Sequence, residues 1–194
     1  MEDTRQALVR AMKELLAEDG YVSTSPRDIL SRSGAGQGSL YHHFRGKSDL
    51  AGVALQEVSA EMRTAADEVL DAEADPLRAV AAWLVAPRDA LRGCRLGRLA
   101  AEPVLADAAI GEPVAAYFQH VQGRLAGRLA EAHAAGGLRP GLDPAELAAA
   151  LVAVVQGGYV LARAASDPAA MQRAQRGAAA LLRVGQSNPT GGQP

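Results

Sequence analysis

The fold is decided by residues 23–50, which read STSPRDILSRSGAGQGSLYHHFRGKSDL. Ser25 is a suitable N-cap for a helix that starts at Pro26, and a carboxylate follows three residues after the cap. The glycine-containing turn at residues 34–36 ends this helix, and a second short helix is predicted over residues 37–44. Two short helices joined by such a turn are typical of a helix-turn-helix motif.

Helical spacing continues on both sides of this motif. Residues 4–19 repeat apolar side chains every three or four positions, and Gly20 ends the pattern. From Lys47 to about Ala72 a single apolar stripe predicts one long helix. Because no segment alternates apolar and polar residues, we expect a three-helix head that this long helix joins to a larger helical body.

Acid–proline pairs mark the starts of further helices. Asp75-Pro76, Asp143-Pro144 and Asp167-Pro168 each place a capping carboxylate before a proline that suits the first helical position. Glu112-Pro113 predicts another helix start, and a shorter helix is expected over residues 96–106. Together these segments predict an all-α protein of about nine helices.

Bulk composition excludes several classes of protein. The 194 residues are 48% apolar and carry a net charge of −2, so the chain should fold and any attraction to nucleic acid must be local. Cys94 is the single cysteine, which rules out an intrachain disulfide and a cysteine-based zinc site. Side chains of the adjacent His42 and His43 would point about 100° apart on a helix, which disfavours a shared metal ion. The start MEDTRQALVR does not resemble a secretory signal, and no run reaches the roughly 18–20 apolar residues of a membrane span. We therefore expect a soluble cytoplasmic protein without metal or cofactor.

The helix-turn-helix carries a local basic surface. Between Arg27 and Lys47 there are four basic residues and one acidic residue. Gln37 and Ser39 lie on the leading turn of the second helix, where a recognition helix presents groups to bases, and glutamine can bind adenine with two hydrogen bonds. Tyr41 can reach a phosphate through its hydroxyl, and Lys47 can do so through its ammonium group. The segment therefore favours DNA binding over an ordinary solvated surface.

Residues 39–44, SLYHHF, followed by Lys47, resemble the DNA-binding signature of the tetracycline-repressor (TetR) family. The resemblance implies that Leu40 and Phe44 are core residues and that His43 is partly structural. It implies DNA contacts from Ser25, Arg27, Gln37, Gly38, Ser39, Tyr41, His42 and Lys47. Gly46 departs from the family pattern, in which a serine or asparagine often caps the next helix, but glycine costs only a few tenths of a kcal/mol there. Residues 93–102, GCRLGRLAAE, are similar to a segment of the branch that contains lincomycin-resistance repressors.

Two C-terminal segments predict a dimer interface. Residues 143–162 are apolar nearly all round, as expected for a helix covered on both sides or by a second subunit. The last predicted helix, from about Asp167, carries Ala170, Ala174, Gly177, Ala178 and Leu181 on one face, and the small residues among them would let a partner helix approach closely. The family resemblance likewise implies a homodimer through the last two helices, which would present two recognition helices about 34–36 Å apart to a palindromic DNA operator. A monomer that hides both faces internally is the alternative.

The remaining aromatic and polar residues predict a small-molecule site in the body. Pro87 falls inside a helical pattern and is expected to kink that helix and to free the carbonyl of Trp83. The family resemblance implies a cavity, and a mostly apolar cavity with a few polar groups suits a small hydrophobic effector. The candidate ligand-binding residues are Trp83, Tyr117, Phe118, His120, Gln156 and Tyr159. For each of them, ordinary packing or solvent exposure is the alternative.

These observations lead to one favoured function and two alternatives. The favoured interpretation is a dimeric, ligand-responsive transcriptional repressor. Its DNA-binding domain occupies residues 1–47, its ligand-binding and dimerisation domain occupies residues 48–184, and residues 185–194 form a disordered tail. The first alternative is a DNA-binding activator, or a constitutive regulator without a small-molecule inducer. The second is a helical enzyme that modifies small molecules, for which Cys94 is the single candidate nucleophile because no catalytic set is visible.

Overall fold

The computed structural model describes residues 3–186, which fold into nine α-helices. The helices are α1 (Thr4–Glu18), α2 (Gly20–Ser23), α3 (Pro26–Ser33), α4 (Ser39–His43), α5 (Lys47–Asp71), α6 (Pro76–Val85), α7 (Ala108–Ala134), α8 (Pro144–Ala165) and α9 (Ala169–Val184). Within residues 3–186 no β-strand forms, and the one strand-like pairing joins Leu138 to Gln186. The prediction of an all-α protein of about nine helices is confirmed.

Backbone contacts divide the chain into two compact units. Residues up to 63 together with residues 92–118 form the first unit, and residues 64–91 together with residues from 119 onward form the second. Because these boundaries fall inside α5 and α7, each of those helices contributes residues to both units. Compactness does not assign a function to either unit, so the predicted functional division at residue 47 stays a prediction.

Helix α1 supplies one wall of the core of the first unit. Its buried face includes Leu8, Met12 and Leu16, none of which is more than 2% exposed. Helix α3 adds Ile29 and α4 adds Leu40, and both side chains are fully buried. Burial of one such side chain contributes about 1.5–3 kcal/mol. The core therefore fixes both helices of the helix-turn-helix against α1.

The start of α3 is held as its sequence predicts. The Ser25 N–H donates to Asp28 Oδ2 at 2.9 Å, and Ser25 Oγ accepts from the Asp28 N–H at 3.3 Å, which is the reciprocal arrangement of a capping box. The Ser25 hydroxyl also donates to Asp28 Oδ2 at 2.6 Å, and this hydrogen bond is the largest cause of the lowered pKa of Asp28. At the other end Gly34 has a φ of 69°, a left-handed conformation that glycine tolerates, and the helix ends there.

The predicted start of a helix at Pro113 is wrong. Helix α7 begins at Ala108, because Asp107 Oδ1 accepts the Ala109 N–H at 3.0 Å and caps the helix at that point. Pro113 then lies inside the helix near its beginning, where its missing N–H removes one backbone hydrogen bond.

Prolines also interrupt two segments that were expected to stay helical. The residue before a proline disfavours the helical conformation. Ala86 precedes Pro87 and is extended, with a ψ of 141°, so α6 ends at Val85 and is not kinked as expected. Glu102 precedes Pro103 and has a ψ of 140°. The helix expected over residues 96–106 is therefore two separate 3₁₀ turns, Gly97–Ala101 and Pro103–Ala106.

Helices α6, α8 and α9 pack together in the second unit. A Cβ added to Gly158 of α8 would lie 2.3 Å from Met171 Sδ, so glycine allows α9 to approach at this point. Gln175 of α9 is buried, and its Nε2 donates to the Leu84 carbonyl at 3.0 Å and to the Ala86 carbonyl at 3.2 Å. Carbonyls at the end of α6 that would otherwise lack a helical partner are thus bonded.

Helix α8 is the one helix among residues 3–186 that is long and apolar enough to cross a membrane, judged by length and composition alone, with a mean hydropathy of 1.7. Gln156, Gly157 and Gly158 lie within the helix. The same composition describes a helix of a globular protein that is covered on two sides. One face of α8 is buried in the chain through Ala148, Leu151, Val152, Val155, Gly158 and Ala162.

The tail predicted to be disordered starts at Gly185, and its first two residues are described. The Gly185 carbonyl accepts the Arg139 N–H at 2.9 Å, and Gln186 pairs with Leu138. These two residues therefore continue the packed chain, which corrects the predicted start of the tail. Residues 187–194 lie outside the described residues.

Candidate nucleic-acid interface

Helix α4 separates a buried side from an exposed one. Leu40 is fully buried and Phe44, just beyond the helix, is 5% exposed, whereas Tyr41 is 67% exposed. The core thus holds Leu40 and Phe44, as predicted, and leaves the ring of Tyr41 in solvent. The helix spans five residues and is shorter than expected, because Gly38 has a φ of 96° and acts as its N-cap.

The residues around the start of α4 are held by backbone hydrogen bonds. The Ser39 N–H donates to the Gly36 carbonyl at 3.1 Å, and the His42 N–H donates to the Gly38 carbonyl at 2.9 Å. Gln37, Gly38 and His42 are exposed, and Ser39 is half-buried. Five of the predicted DNA contacts, namely Gln37, Gly38, Ser39, Tyr41 and His42, therefore belong to one short and largely exposed segment.

The local basic surface is smaller than the sequence indicates. Arg32 lies 3.0 Å from Glu18 and 3.4 Å from Glu14 of α1, so its charge is compensated within the unit. Arg27 and Arg45 are exposed. Exposed cations near a recognition helix are suited to contact phosphates, which position a protein on DNA.

Two predicted DNA contacts are engaged inside the first unit. Ser25 caps α3 through the hydrogen bonds described above. Lys47 Nζ donates to the Tyr21 carbonyl at 2.6 Å and lies 3.9 Å from the centre of the Tyr21 ring. Burial lowers the pKa of Lys47, and the charge of Glu102 opposes this shift. An ammonium group has three N–H donors, so two remain for a phosphate.

Sequence reasoning missed two side chains that contact this region. The carboxylate of Glu102 accepts the Tyr21 N–H at 3.1 Å and the Val22 N–H at 2.9 Å. The guanidinium of Arg5 lies 5.3 Å from the centre of the Phe44 ring. Both contacts join residues far apart in the chain, and no local pattern in the sequence marks them.

The six candidate ligand-binding residues are divided between the units. Tyr117 and Phe118 belong to the first unit, and Trp83, His120, Gln156 and Tyr159 belong to the second. The rings of Tyr117 and Phe118 pack edge to face with centres 5.0 Å apart, against the core of the first unit. Trp83 is 5% exposed, and Gln156 and Tyr159 are half-buried on α8. A ligand-binding role for these residues stays a prediction.

His120 has an acidic partner in the second unit. Its Nε2 lies 2.8 Å from Asp67 Oδ1, and Arg124 Nη1 lies 3.4 Å from the same oxygen. The side chain of His120 thus belongs to an ion-pair network between α5 and α7.

Arg88 closes the end of α6. Its Nη2 donates to the Trp83 carbonyl at 2.7 Å, its Nη1 donates to the Ala86 carbonyl at 2.8 Å, and its guanidinium lies 5.0 Å from the Trp83 ring. The carbonyl that was expected to be free near Pro87 is therefore bonded. A cleft of about 370 Å³ beside it is lined by Arg88, Met171 and Gln175, among others.

Helices α8 and α9 expose four large apolar side chains. The exposed fractions are 66% for Val160, 55% for Leu161, 72% for Leu181 and 60% for Val184, and we call these four residues the apolar face. A Cβ added to Gly157 or Gly177 would meet no atom within 4 Å, so each lies beside open space. The predicted stripe of small residues on α9 is split, because Ala170 and Ala178 are buried in the chain whereas Gly177 and Leu181 are exposed.

Cys94, the one candidate nucleophile, has a structural environment. Its side chain is buried, and Sγ accepts the Gly97 N–H at 3.2 Å. Among residues 3–186, no group of three histidine, cysteine, aspartate or glutamate side chains is placed to hold a metal ion.

Comparison with known proteins supplies a context for this geometry. Residues 8–54 match the family described as "Bacterial regulatory proteins, tetR family", and residues 74–178 match "Tetracyclin repressor-like, C-terminal domain". The HTH-type transcriptional repressor DhaR of a Mycobacterium species is 30% identical over 160 residues, which span 80% of each chain. The HTH-type transcriptional regulator LmrA of Bacillus subtilis is 33% identical over 110 residues, which span 53% of this chain and 58% of LmrA. The crystal structure of a regulatory protein TetR from Rhodobacter sphaeroides aligns with a TM-score of 0.75 and 28% identity, over 90% of this chain and 96% of that one.

Proposed function

Because the chain belongs to the TetR family of bacterial transcriptional regulators, we propose that it is a dimeric, ligand-responsive repressor of transcription that acts in the cytoplasm. It binds a palindromic operator in double-stranded DNA and is released by a small hydrophobic effector. The observation that carries this proposal is the exposure of Tyr41, beside exposed Gln37 and His42, above a fully buried Leu40. Similarity to DhaR, a named repressor, over most of the chain favours repression over activation.

The proposed DNA contacts divide into base and phosphate contacts. Ser39 is the first residue of α4, and Gln37 lies in the turn just before the N-cap Gly38. Both residues contact base edges in the major groove, where glutamine can pair with adenine. Tyr41, Arg27 and Lys47 contact phosphates, Lys47 through the donors that Tyr21 leaves unused. The remaining proposed contacts are Ser25, Gly38 and His42.

The apolar face supports dimerisation through α8 and α9. A monomer would leave these four side chains in water, and burying one of them fully contributes about 1.5–3 kcal/mol. The open space beside Gly157 and Gly177 allows helices of a second chain to approach closely. A two-fold dimer then presents two copies of α4 to major grooves about 34–36 Å apart, which explains why the operator would be palindromic.

Effector binding is proposed for the family's C-terminal domain. Trp83 is buried and Gln156 and Tyr159 are half-buried. An apolar cavity with a few polar groups is the environment that suits a small hydrophobic effector. By thermodynamic linkage, effector and operator weaken each other's binding by the same factor. A coupling of about 1–3 kcal/mol would weaken operator binding roughly 5–150-fold.

In vitro selection of duplexes from a random library tests the proposal and identifies the operator in the same experiment. We expect a palindromic consensus, and we expect compounds that raise the melting temperature of the protein to lower its affinity for that duplex. A variant that combines Gln37→Ala with Tyr41→Ala should keep its helical content and lose the selected duplex, because both side chains lie outside the core. Recovery of no preferred duplex would count against the proposal.

A further inference from the structure

Glu102 contacts the backbone that leads into the helix-turn-helix. It lies between the two 3₁₀ turns and accepts hydrogen bonds from the amides of Tyr21 and Val22 at 3.1 and 2.9 Å. These amides stand in the first turn of α2 and have no partner within their helix. Both oxygens of one carboxylate therefore hold consecutive peptide groups just before the start of α3.

Lys47 holds the same peptide segment from the other end of the motif. It is the first residue of α5, directly after the helix-turn-helix, and its Nζ donates to the Tyr21 carbonyl at 2.6 Å. The hydrogen bond thus joins the segment before α3 to the first residue of the helix after α4. It closes the base of the motif, and the Tyr21 ring 3.9 Å from Nζ adds a cation–π contact.

The contact with Glu102 requires glycine at position 20. Gly20 has a φ of 83°, which L side chains rarely adopt, and an added Cβ would lie 2.4 Å from Glu102 Oε1. Thr24 locks the other end of the turn, because its buried hydroxyl donates to the Gly20 carbonyl at 2.7 Å. The backbone at residues 20–24 is therefore shaped to admit this carboxylate.

Other side chains around Glu102 hold its segment against the first unit. The Arg98 guanidinium donates to the Ala17 carbonyl at the end of α1, and the Ser48 hydroxyl donates to Asp107 Oδ2. These hydrogen bonds hold the backbone before and after Glu102, and they thereby fix the position from which its carboxylate reaches Tyr21 and Val22.

We propose that Glu102 is a positioning residue for operator binding, because together with Lys47 it clamps the Tyr21–Val22 peptides and keeps the base of the helix-turn-helix closed. We call this arrangement the clamp. Glu102 touches no DNA in this scheme, and it acts by setting where α3 begins relative to α5. The inference rests on the proposed function for its effect on DNA, but the clamp itself can be measured without DNA.

The chain offers a direct probe, because Lys13 and Lys47 are its only lysines. Acetylation with an amine-specific reagent, quantified by mass spectrometry, gives the labelling of Lys47 relative to Lys13. We expect Glu102→Gln to raise this ratio several-fold, because the amide replaces one of the two accepting oxygens with an NH2 donor that faces a backbone N–H. The Tyr21 carbonyl, which is the partner of Lys47, is then no longer held in place. Glu112→Gln is the matched control, because Glu112 is an exposed carboxylate of the first unit and lies outside the clamp. The ratio should not change in that variant.

Operator affinity is the second measurement. Glu102→Gln should weaken binding to the selected duplex on the order of tenfold, as expected for loss of a hydrogen-bonded charged group. The base preference and the salt dependence should stay those of the unsubstituted protein, because no DNA contact is removed. A raised labelling ratio with unchanged operator affinity would overturn the positioning role.

Hydrogen exchange on the unsubstituted chain tests the clamp even if Glu102→Gln fails to fold. The Tyr21 and Val22 amides should exchange far more slowly than unprotected amides, and exchange at the unprotected rate would overturn the clamp. Slow exchange and raised labelling without any selected duplex would overturn the proposed function and leave the clamp standing, whereas a selected duplex with exchange at the unprotected rate would overturn the clamp and leave the proposed function standing. The two failures are therefore distinguishable.

Discussion

The segment around α4 and the apolar face on α8 and α9 are both exposed, but they differ in the side chains that they present. The first offers Gln37, Tyr41 and His42 around glycines, all with groups that can form hydrogen bonds. The second offers valine and leucine, with exposed fractions from 55 to 72%. Helices of a stable monomer usually turn such large apolar side chains inward, whereas polar side chains in solvent need no explanation.

The difference indicates which kind of partner each surface requires. Removing apolar side chains from water lowers the free energy whenever the surface that covers them packs closely. A second copy of the same helices can supply such a surface. Hydrogen-bonding side chains on a short helix gain little from burial alone, and they discriminate between partners by the pattern of donors and acceptors that they meet. The first surface therefore suits specific recognition of DNA, and the second suits permanent association.

The largest effect is expected from a charge placed on the apolar face. Leu181→Glu would bury a carboxylate in the proposed interface, so we expect the chain to sediment at its monomer mass of 20.1 kDa and not at twice that value. Loss of an interface residue of this kind costs at least about 2 kcal/mol, and operator affinity should fall roughly 30-fold or more. Analytical ultracentrifugation and gel-shift titration measure the two quantities.

Gln172→Glu is the control for that charge. Gln172 is exposed on the same helix but is not part of the apolar face, so its substitution should leave the mass of the assembly unchanged. If Leu181→Glu remains a dimer, the apolar face is not the dimer interface.

A smaller effect, confined to one base pair, is expected at Gln37. Gln37→Ala should reduce discrimination at a single position of the operator by about 1–3 kcal/mol, because a side chain that reads one base is removed. Affinities for a set of operators, each with one substituted base pair, measure this change. Equal weakening on every operator would show that Gln37 does not read a base.

Tyr41→Ala should weaken binding to all operators alike, by about 1 kcal/mol, because its proposed partner is a phosphate. Since tyrosine is uncharged, the salt dependence of binding should not change. Affinities for the same set of operators measure this effect. A base preference that changes at one base pair would show that Tyr41 reads a base and does not contact a phosphate.

The smallest effect concerns the pH dependence of stability in the first unit. Burial alone would raise the pKa of Glu61, but hydrogen bonds from Lys13 and Arg95 outweigh it and lower the pKa. A lowered pKa in the folded state means that the stabilisation is present at neutral pH and is lost as pH falls from about 5 through the lowered value. Because Glu61 is a partly exposed residue, its contribution should stay below about 1 kcal/mol.

Melting temperatures of Glu61→Gln and the unsubstituted chain should therefore differ at pH 7 and converge as pH falls towards 3. Glu68→Gln, which removes an exposed carboxylate from the same helix, should show no such convergence. A constant difference across this range would show that the hydrogen bonds to Glu61 do not depend on its charge.

Local signals in the sequence predicted most of the fold. The capping box of Ser25 and Asp28 and the glycine at position 34 fixed both ends of α3, because each depends on neighbours within a few residues. The resemblance of residues 39–44 to the family signature predicted the burial of Leu40 and Phe44. Local signals failed at Pro113 and Pro87, where the same residue type is compatible with a helix interior, a helix start or a helix end.

Contacts between distant parts of the chain could not be predicted. Arg88 closes α6 by folding back on its carbonyls, and Glu102 reaches amides about 80 positions earlier. Nothing near either residue in the sequence indicates its partner, since the partner is set by how helices pack. The engagement of Lys47 with Tyr21 was missed for the same reason, so its charge was counted fully towards DNA.

The central claim is that two identical chains, paired through the apolar face, bind one palindromic duplex. Sedimentation equilibrium of the protein mixed with the selected duplex tests it most directly. The predicted result is a complex of one duplex with two chains of 20.1 kDa each, which dissociates into unbound duplex and monomer in Leu181→Glu. A complex that contains a single chain, or one that Leu181→Glu leaves intact, would contradict the claim.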